Sequence, residues 1–305
     1  MLKQEQIGDI QSSKNNLIRE LFVRTADENY ITARWCAINQ LNVDFFWLSV
    51  HALEKYLKAV LLINGQSAIS RPRIDNTQKS KDYYGHNIKK LYADVEVLSK
   101  NLLPNSFSKP NDLQINRWTD KKPKEFIEHL FKNGNADNRY MIHGYLTDSQ
   151  DLHMLDQMVF VIRRLICPLN QVWGIVCKNS EGNKDPNISN KTNKDMLAEN
   201  PKFYKNMGTT LDNLIETSEN SPKRIAALNF NIEFAPNNYH HTPISSGNSF
   251  RERTITSRII TPLKSQNPDQ VENGIEVAHW FLENIKIPKE IEKEIRKAMD
   301  VAGFK

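Results

Sequence analysis

Residues 44 to 66, DFFWLSVHALEKYLKAVLLINGQ, leave few folds open. At about 100° per residue, Phe45, Leu48, Ala52, Tyr56, Ala59 and Ile63 share one side of a helix. Leu53, Leu57, Val60 and Leu61 widen the apolar arc past half the circumference. A helix this apolar must pack on several sides at once, so it is read as a central helix. Its remaining narrow stripe carries Asp44, His51, Glu54, Lys55 and Lys58. Asn64-Gly65 end it with residues that tolerate positive φ.

Four further helical patterns surround this one. TADENYITARWCAINQL begins with Thr25 and Glu28 at capping-box spacing and predicts a helix to about Asn39. HNIKKLYADVEVLSK predicts one over about His86–Lys100. KEFIEHLFKNG follows Pro123, a residue suited to a first helical position, and ends at Gly134. In TDSQDLHMLDQMVFVIRRLICPL, Leu152, Leu155, Val159, Ile162, Ile166 and Leu169 alternate threes and fours, which is a packing seam. The expected fold class is therefore all-α, an antiparallel helical bundle over residues 1–178. The stretch 179–200 is rich in Asn, Lys, Ser and Asp and reads as a polar linker. Residues 201–305 read as a smaller C-terminal α or α+β extension. There NPKFYKNM suggests a helix start, NFNIEFA and RTITSRIITPL suggest short strands, and two helices follow Asn267-Pro268 and Pro288.

The order of several elements resembles the HEPN family (higher eukaryotes and prokaryotes nucleotide-binding). Members carry a Gln-Ala-x-Glu-Lys-x-x-Lys-Ala run on the second helix, a His before the third, and an Arg-Tyr or Arg-x(four to six)-His element late in the bundle. Here Ala52, Glu54, Lys55, Lys58 and Ala59 match the run, His51 stands where Gln is usual, and His86 matches the His. Arg139 and Tyr140 match the Arg-Tyr element. The resemblance spans residues 26–169, about half of the chain. It implies a helical bundle that pairs as a homodimer, with RNA or a nucleotide as partner and a role in stress or defence. It also implies metal-independent RNA cleavage in some members and a non-catalytic scaffold or protein-interaction role in others.

Arg139 and His143, in NADNRYMIHGYL, are the candidate catalytic pair. RNA cleavage without metal needs a base for the 2′-OH proton and a cation for the crowded phosphate. This sequence places only Tyr140, Met141 and Ile142 between them, fewer than the family spacing, and puts Tyr140 where a small polar residue is usual. The alternative for Arg139 is an ion pair to a carboxylate of the second helix. His51, Glu54, Lys55, Lys58 and Tyr140 are the candidate ligand-binding residues. Charged groups beside a core need partners or a wet groove, and such a groove suits a phosphate. Glu54 and Lys58 also have the spacing of a simple helix ion pair. Capping or packing is expected for His86, a solvated surface for His240-His241, and favourable helix-end charge for Arg163-Arg164. FRERTITSR could meet RNA or form a solvated sheet face.

The net charge of +5 permits a polyanion partner without requiring one. Cys36, Cys167 and Cys177 make neither a zinc spacing nor a disulfide framework, so no metal site and no cofactor is expected. Neither a phosphate-binding Gly loop nor HExxH nor Gly-x-Ser-x-Gly occurs. The polar N-terminus lacks a signal-peptide core and no apolar run could span a bilayer. The expected setting is cytoplasmic, without membrane association, with a protein partner as the alternative to nucleic acid.

Overall fold

The computed structural model describes residues 4–72, 81–113, 115, 117–172, 191–243, 247–285 and 287–303. The chain is mostly helical, with two small antiparallel sheets. Gln4–Ile18 (α1), a π-helical stretch Arg19–Arg24 and Thr25–Ile38 (α2) follow one another without leaving helical backbone. The capping box expected at Thr25 is therefore not used. Thr25 lies inside a helix, and its hydroxyl donates back to the Leu21 carbonyl at 2.7 Å.

Asn42–Ile63 (α3) is the central helix, in contact with α1, α2 and with three later helices: Ile88–Ser99 (α4), Pro123–Asn133 (α5) and Asp151–Arg164 (α6). Phe45, Ala52, Leu53, Tyr56, Leu57, Ala59, Val60 and Leu61 are all buried, as the wide apolar arc requires. Each large one contributes about 1.5–3 kcal/mol of burial. Gly65, at φ +77, closes the helix. Asn87 caps α4, its side chain accepting from the Lys89 and Lys90 amides. Ser70–Pro72 (β1) pairs with Lys81–Tyr83 (β2) in the loop between α3 and α4.

Beyond α6 the arrangement differs from the expectation. Residues 179–190 of the expected linker, and Cys177, lie outside the described residues. Asn193–Glu199 (α7) is a helix capped by Thr192, not a linker segment. Thr210–Glu216 (α8) and Pro222–Leu228 (α9) follow. NPKFYKNM opens no helix, and NFNIEFA forms turns instead of a strand. Leu197, Leu211, Ala226, Ala227, Leu228 and Phe234 belong to the same core as α3. The first core thus reaches well past residue 178 and takes in much of the expected extension.

Three buried arginines hold this segment in place. Arg34 of α2 pairs with Asp156 and donates to the Ala226 and Asn229 carbonyls. Arg163 of α6 pairs with Asp27 and with Asp212, and reaches the Tyr204 hydroxyl at 2.6 Å. Asp27 also accepts from Tyr56, Thr209 and the Leu211 amide. Arg164 donates to the carbonyls of Phe203, Leu197 and Asn200. Arg163 and Arg164 do occupy the last turn of α6, the helix-end position expected for them. Beyond that, Arg164 satisfies buried backbone carbonyls that have no regular ladder of their own, while Arg163 joins the buried side chains of Asp27, Tyr204 and Asp212.

A second core forms from residues 255–302. RTITSRIITPL is helical there, as a π-helical stretch Thr256–Ile260 followed by Thr261–Leu263 (α10), and not a strand. Pro268–Asn284 (α11), capped by Asn267, and Lys289–Val301 (α12) complete it. Ile142, from the loop between α5 and α6, inserts into this second core. Beside it Tyr145–Thr147 (β3) pairs with Ser249–Arg251 (β4). No helix among the described residues is long and apolar enough to cross a membrane.

Candidate functional site

The polar stripe of α3 and the loop after α5 meet on one face. Trp47, His51, Glu54 and Lys58 fall at spacings of four, three and four, which places them in a row on one side of the helix. Glu54 is only 5% exposed. Its carboxylate accepts from Lys58 Nζ at 2.6 Å and lies 3.0 Å from His86 Nδ1 and 4.0 Å from His51 Nδ1. Lys58 also reaches the Gly85 carbonyl at 3.4 Å. Burial alone would raise the Glu54 carboxyl, but Lys58 and His86 outweigh it and hold it below its ordinary value. His51 is pushed down, first by burial and then by the His86, Lys55 and Arg139 charges, against the pull of Glu54. It is accordingly a neutral imidazole at neutral pH.

Arg139 arrives from the other side. Ala136–Tyr140 is a single 3-10 turn, started by Asn135 and ended by Met141 in left-handed backbone at φ +57. The Arg139 guanidinium carbon sits 4.3 Å from the centre of the Trp47 ring, and Trp47 meets His51 edge-on at 4.2 Å. His51 and His86 rings lie 6.2 Å apart. The ion pair to a second-helix carboxylate is not formed; Arg139 rests on an aromatic face of that helix instead. This is a cation–π contact, worth about 0.5–1 kcal/mol at an exposed site.

The loop keeps this shape through Asn138, which is buried. Its amide donates to the Asn133 and Gly144 carbonyls at 2.9 and 2.6 Å, and its carbonyl accepts from the His143 amide at 3.1 Å. Gly144, at φ +66, has Arg251 O and Arg253 N where a side chain would go. The Thr254 amide donates to the Met141 carbonyl at 2.9 Å. Residues 249–254 thus brace the loop that carries Arg139.

Of the sequence-predicted residues, the structure brings together His51, Glu54, Lys58, Arg139 and, beside Arg139, Tyr140. The Tyr140 ring lies 5.9 Å from the guanidinium carbon. Lys55 points away, to the Asn29 side chain at 2.6 Å and the Thr25 carbonyl. His143 is not on a helix with Arg139. Met141 reverses the chain between them, and His143 is exposed with no side-chain contact to Arg139 among the described residues. His86 joins the site through Glu54, while the neighbouring Asn87 does the capping. Trp47 is the residue that sequence reasoning missed. Its position one turn before His51, on the polar stripe of an otherwise apolar helix, is the signal that would have found it.

A second polar cluster lies near the start of α6. His129, Asp148 and Asp151 bring one donor atom each within 4.8 Å of one another. Lys121 Nζ stands 2.7 Å from Asp148 and 3.8 Å from Asp151, so an ammonium already supplies the cation. His129 Nε2 lies 2.9 Å from Asp151. His241, one of the tandem histidines, is not simply solvated: its Nδ1 accepts from the Phe230 amide and its ring stacks on Phe230.

Chemically, the α3 face offers a neutral imidazole, a second imidazole on a buried carboxylate, an ammonium and a guanidinium on an indole. Such a set can receive a phosphate and move a proton beside it. Compared with known proteins, the chain matches no family model, no curated protein and no solved structure.

Proposed function

We propose that this chain is a HEPN-like antiparallel helical bundle that binds RNA at the α3 face and cleaves it without metal, acting as a homodimer in stress or defence. The observation that supports this best is Arg139 lying over Trp47 beside the His51–Glu54–His86 group. In this reading Arg139 and Lys58 hold the phosphate. Neutral His51 takes the 2′-OH proton, and the freed 2′-oxygen attacks phosphorus. His86, steadied by Glu54, gives a proton to the departing 5′-oxygen. The products are a 2′,3′-cyclic phosphate and a 5′-hydroxyl end. His143 has no part in it, and Lys55 serves the α2–α3 contact.

The test is single-stranded RNA incubated with purified protein in EDTA. Cleavage is expected from the wild type and from His143→Ala, and not from Arg139→Ala, His51→Ala or His86→Ala. Uncleaved RNA with the wild type, or cleavage that survives the Arg139 and His51 changes, removes the nuclease reading. Light scattering on the same samples reports the dimer.

One observation favours a second reading, a non-catalytic scaffold that binds a partner. The Arg139 guanidinium already donates to the Ala136 carbonyl at 3.2 Å and sits over Trp47. No cleavage and no RNA binding by the wild type is the outcome that selects it.

A further inference from the structure

The β3–β4 ribbon presents an apolar face with no partner among the described residues. Leu146 and Phe250 are directly opposite one another and are 50% and 73% exposed. Neighbouring Tyr145, whose side chain alternates to the other face, packs on Phe46 of α3, so Leu146 and Phe250 point outward. Tyr140, 75% exposed, stands beside Arg139.

The helix α3 serves as a ruler for these features. Tyr145 meets Asn42 and Phe46, Arg139 meets Trp47, and His86 meets Glu54. At about 1.5 Å per residue, the ribbon, the guanidinium and the histidines succeed one another over roughly 18 Å of helix. Charge follows the same line. Most described arginines are paired with carboxylates or spent on buried carbonyls. Arg258, in the helical stretch beyond β4, is in no ion pair among the described residues, and neither are Arg117, Arg139 and Arg251. The last three border the ribbon: Arg251 is in β4, Arg139 precedes β3, and the Arg117 carbonyl accepts from Ser149 just after it. The acidic residues nearest in sequence are Glu252, Asp148, Asp137 and Asp120, of which Asp148 is paired with Lys121.

Exposed aromatic faces interleaved with unpaired arginines suit unpaired bases joined by phosphates, because every base has a face to stack and every linkage a charge. A duplex hides those faces. We infer that the β3–β4 ribbon is a binding track for single-stranded RNA, with one base on Phe250, another on Tyr140, and the strand leading to the α3 face. This rests on the reading of that face as a phosphate site.

The experiment is fluorescence anisotropy with a 5′-labelled adenosine 12-mer, a labelled dinucleotide, and the 12-mer annealed to its complement. Phe250→Ala is expected to weaken the single-stranded 12-mer about five- to 150-fold and to leave the dinucleotide unchanged. Phe250→Trp restores the affinity, which separates stacking from any loss of folding. Unchanged 12-mer affinity in Phe250→Ala, or an equal loss with the duplex, overturns the track. A shift in the protein's own association state, with RNA affinity intact, overturns it as well and makes this face a contact between copies. Loss with Phe250→Ala but not with Arg139→Ala keeps the track and removes the phosphate site. Loss with Arg139→Ala alone does the reverse.

Discussion

His153 makes the stability of this protein depend on pH in a way that can be worked out beforehand. The ring is buried in α6, its Nδ1 has no hydrogen-bond partner among the described residues, and the Phe230 carbonyl accepts a hydrogen bond from it. Burial, reinforced by the Arg34 charge and opposed by that hydrogen bond, pushes the imidazole from its ordinary 6.5 down to about 3. The native state therefore excludes a proton that the unfolded chain accepts. Stability from this group is complete above pH 6.5, begins to fall below that value, and is lost entirely by about pH 3. Between about pH 7 and pH 5 the loss is about 2 kcal/mol, since each tenfold difference in proton affinity between the folded and unfolded chain is worth about 1.4 kcal/mol. His153→Gln keeps a donor for the Phe230 carbonyl and cannot be protonated. Equilibrium urea unfolding of both proteins at about pH 7 and pH 5 isolates the difference, since the buried carboxylates are common to both. The wild type should lose about 2 kcal/mol more than the variant. Equal losses, or an NMR titration of His153 with a midpoint near 6.5, would refute the reasoning.

Three further outcomes follow from the same kind of argument. Asn138→Ala removes three hydrogen bonds and leaves two buried carbonyls without donors, so urea unfolding should register a loss of about 2–4 kcal/mol. Gly144→Ala forces a left-handed residue against the Arg251 carbonyl, and should cost about 2 kcal/mol or more in the same assay, with faster hydrogen exchange at the Thr254 amide. Arg163→Met strands the Asp27 and Asp212 carboxylates. It should cost about 3–5 kcal/mol by thermal or urea unfolding at neutral pH, and adding Asp27→Asn should return part of that loss.

The helices of the first core were legible because their signal is local. Periodicity located α3 to within about two residues, and the Asn64-Gly65 end, the Asn267 cap and the Pro123 start agree with the structure. Local rules misled where a long-range contact decides. Thr25 and Glu28 look like a helix start, yet residues 19–24 are also helical because Val23 is buried in the core on the same side as Ala26 and Tyr30. RTITSRIITPL alternates like a strand, but Ile255, Ile259, Ile260 and Leu263 gather into the second core only as a helix. Residues 191–239 join the first core through scattered apolar residues such as Leu197, Leu211, Leu228 and Phe234, with no continuous apolar stripe, and through buried arginines of α2 and α6. Sequence patterns do not reveal which charges will be buried.

The same division runs through the candidate site. From the sequence alone came the central helix, the row His51, Glu54 and Lys58 along it, and the placing of Arg139 between the fourth and fifth of the helical patterns. A row on a helix needs only about 3.6 residues per turn, so no tertiary knowledge is required to see it. Tertiary structure alone decided that Lys55 turns to α2, that Trp47 receives Arg139, and that His86 rather than His143 completes the group. Those outcomes depend on how Met141 and Gly144 bend the chain and on β4 and Thr254, more than a hundred residues further on, bracing it. Distance in sequence hides such partners, because which segments close on each other is settled by the burial of the whole core and not by any one stretch within it.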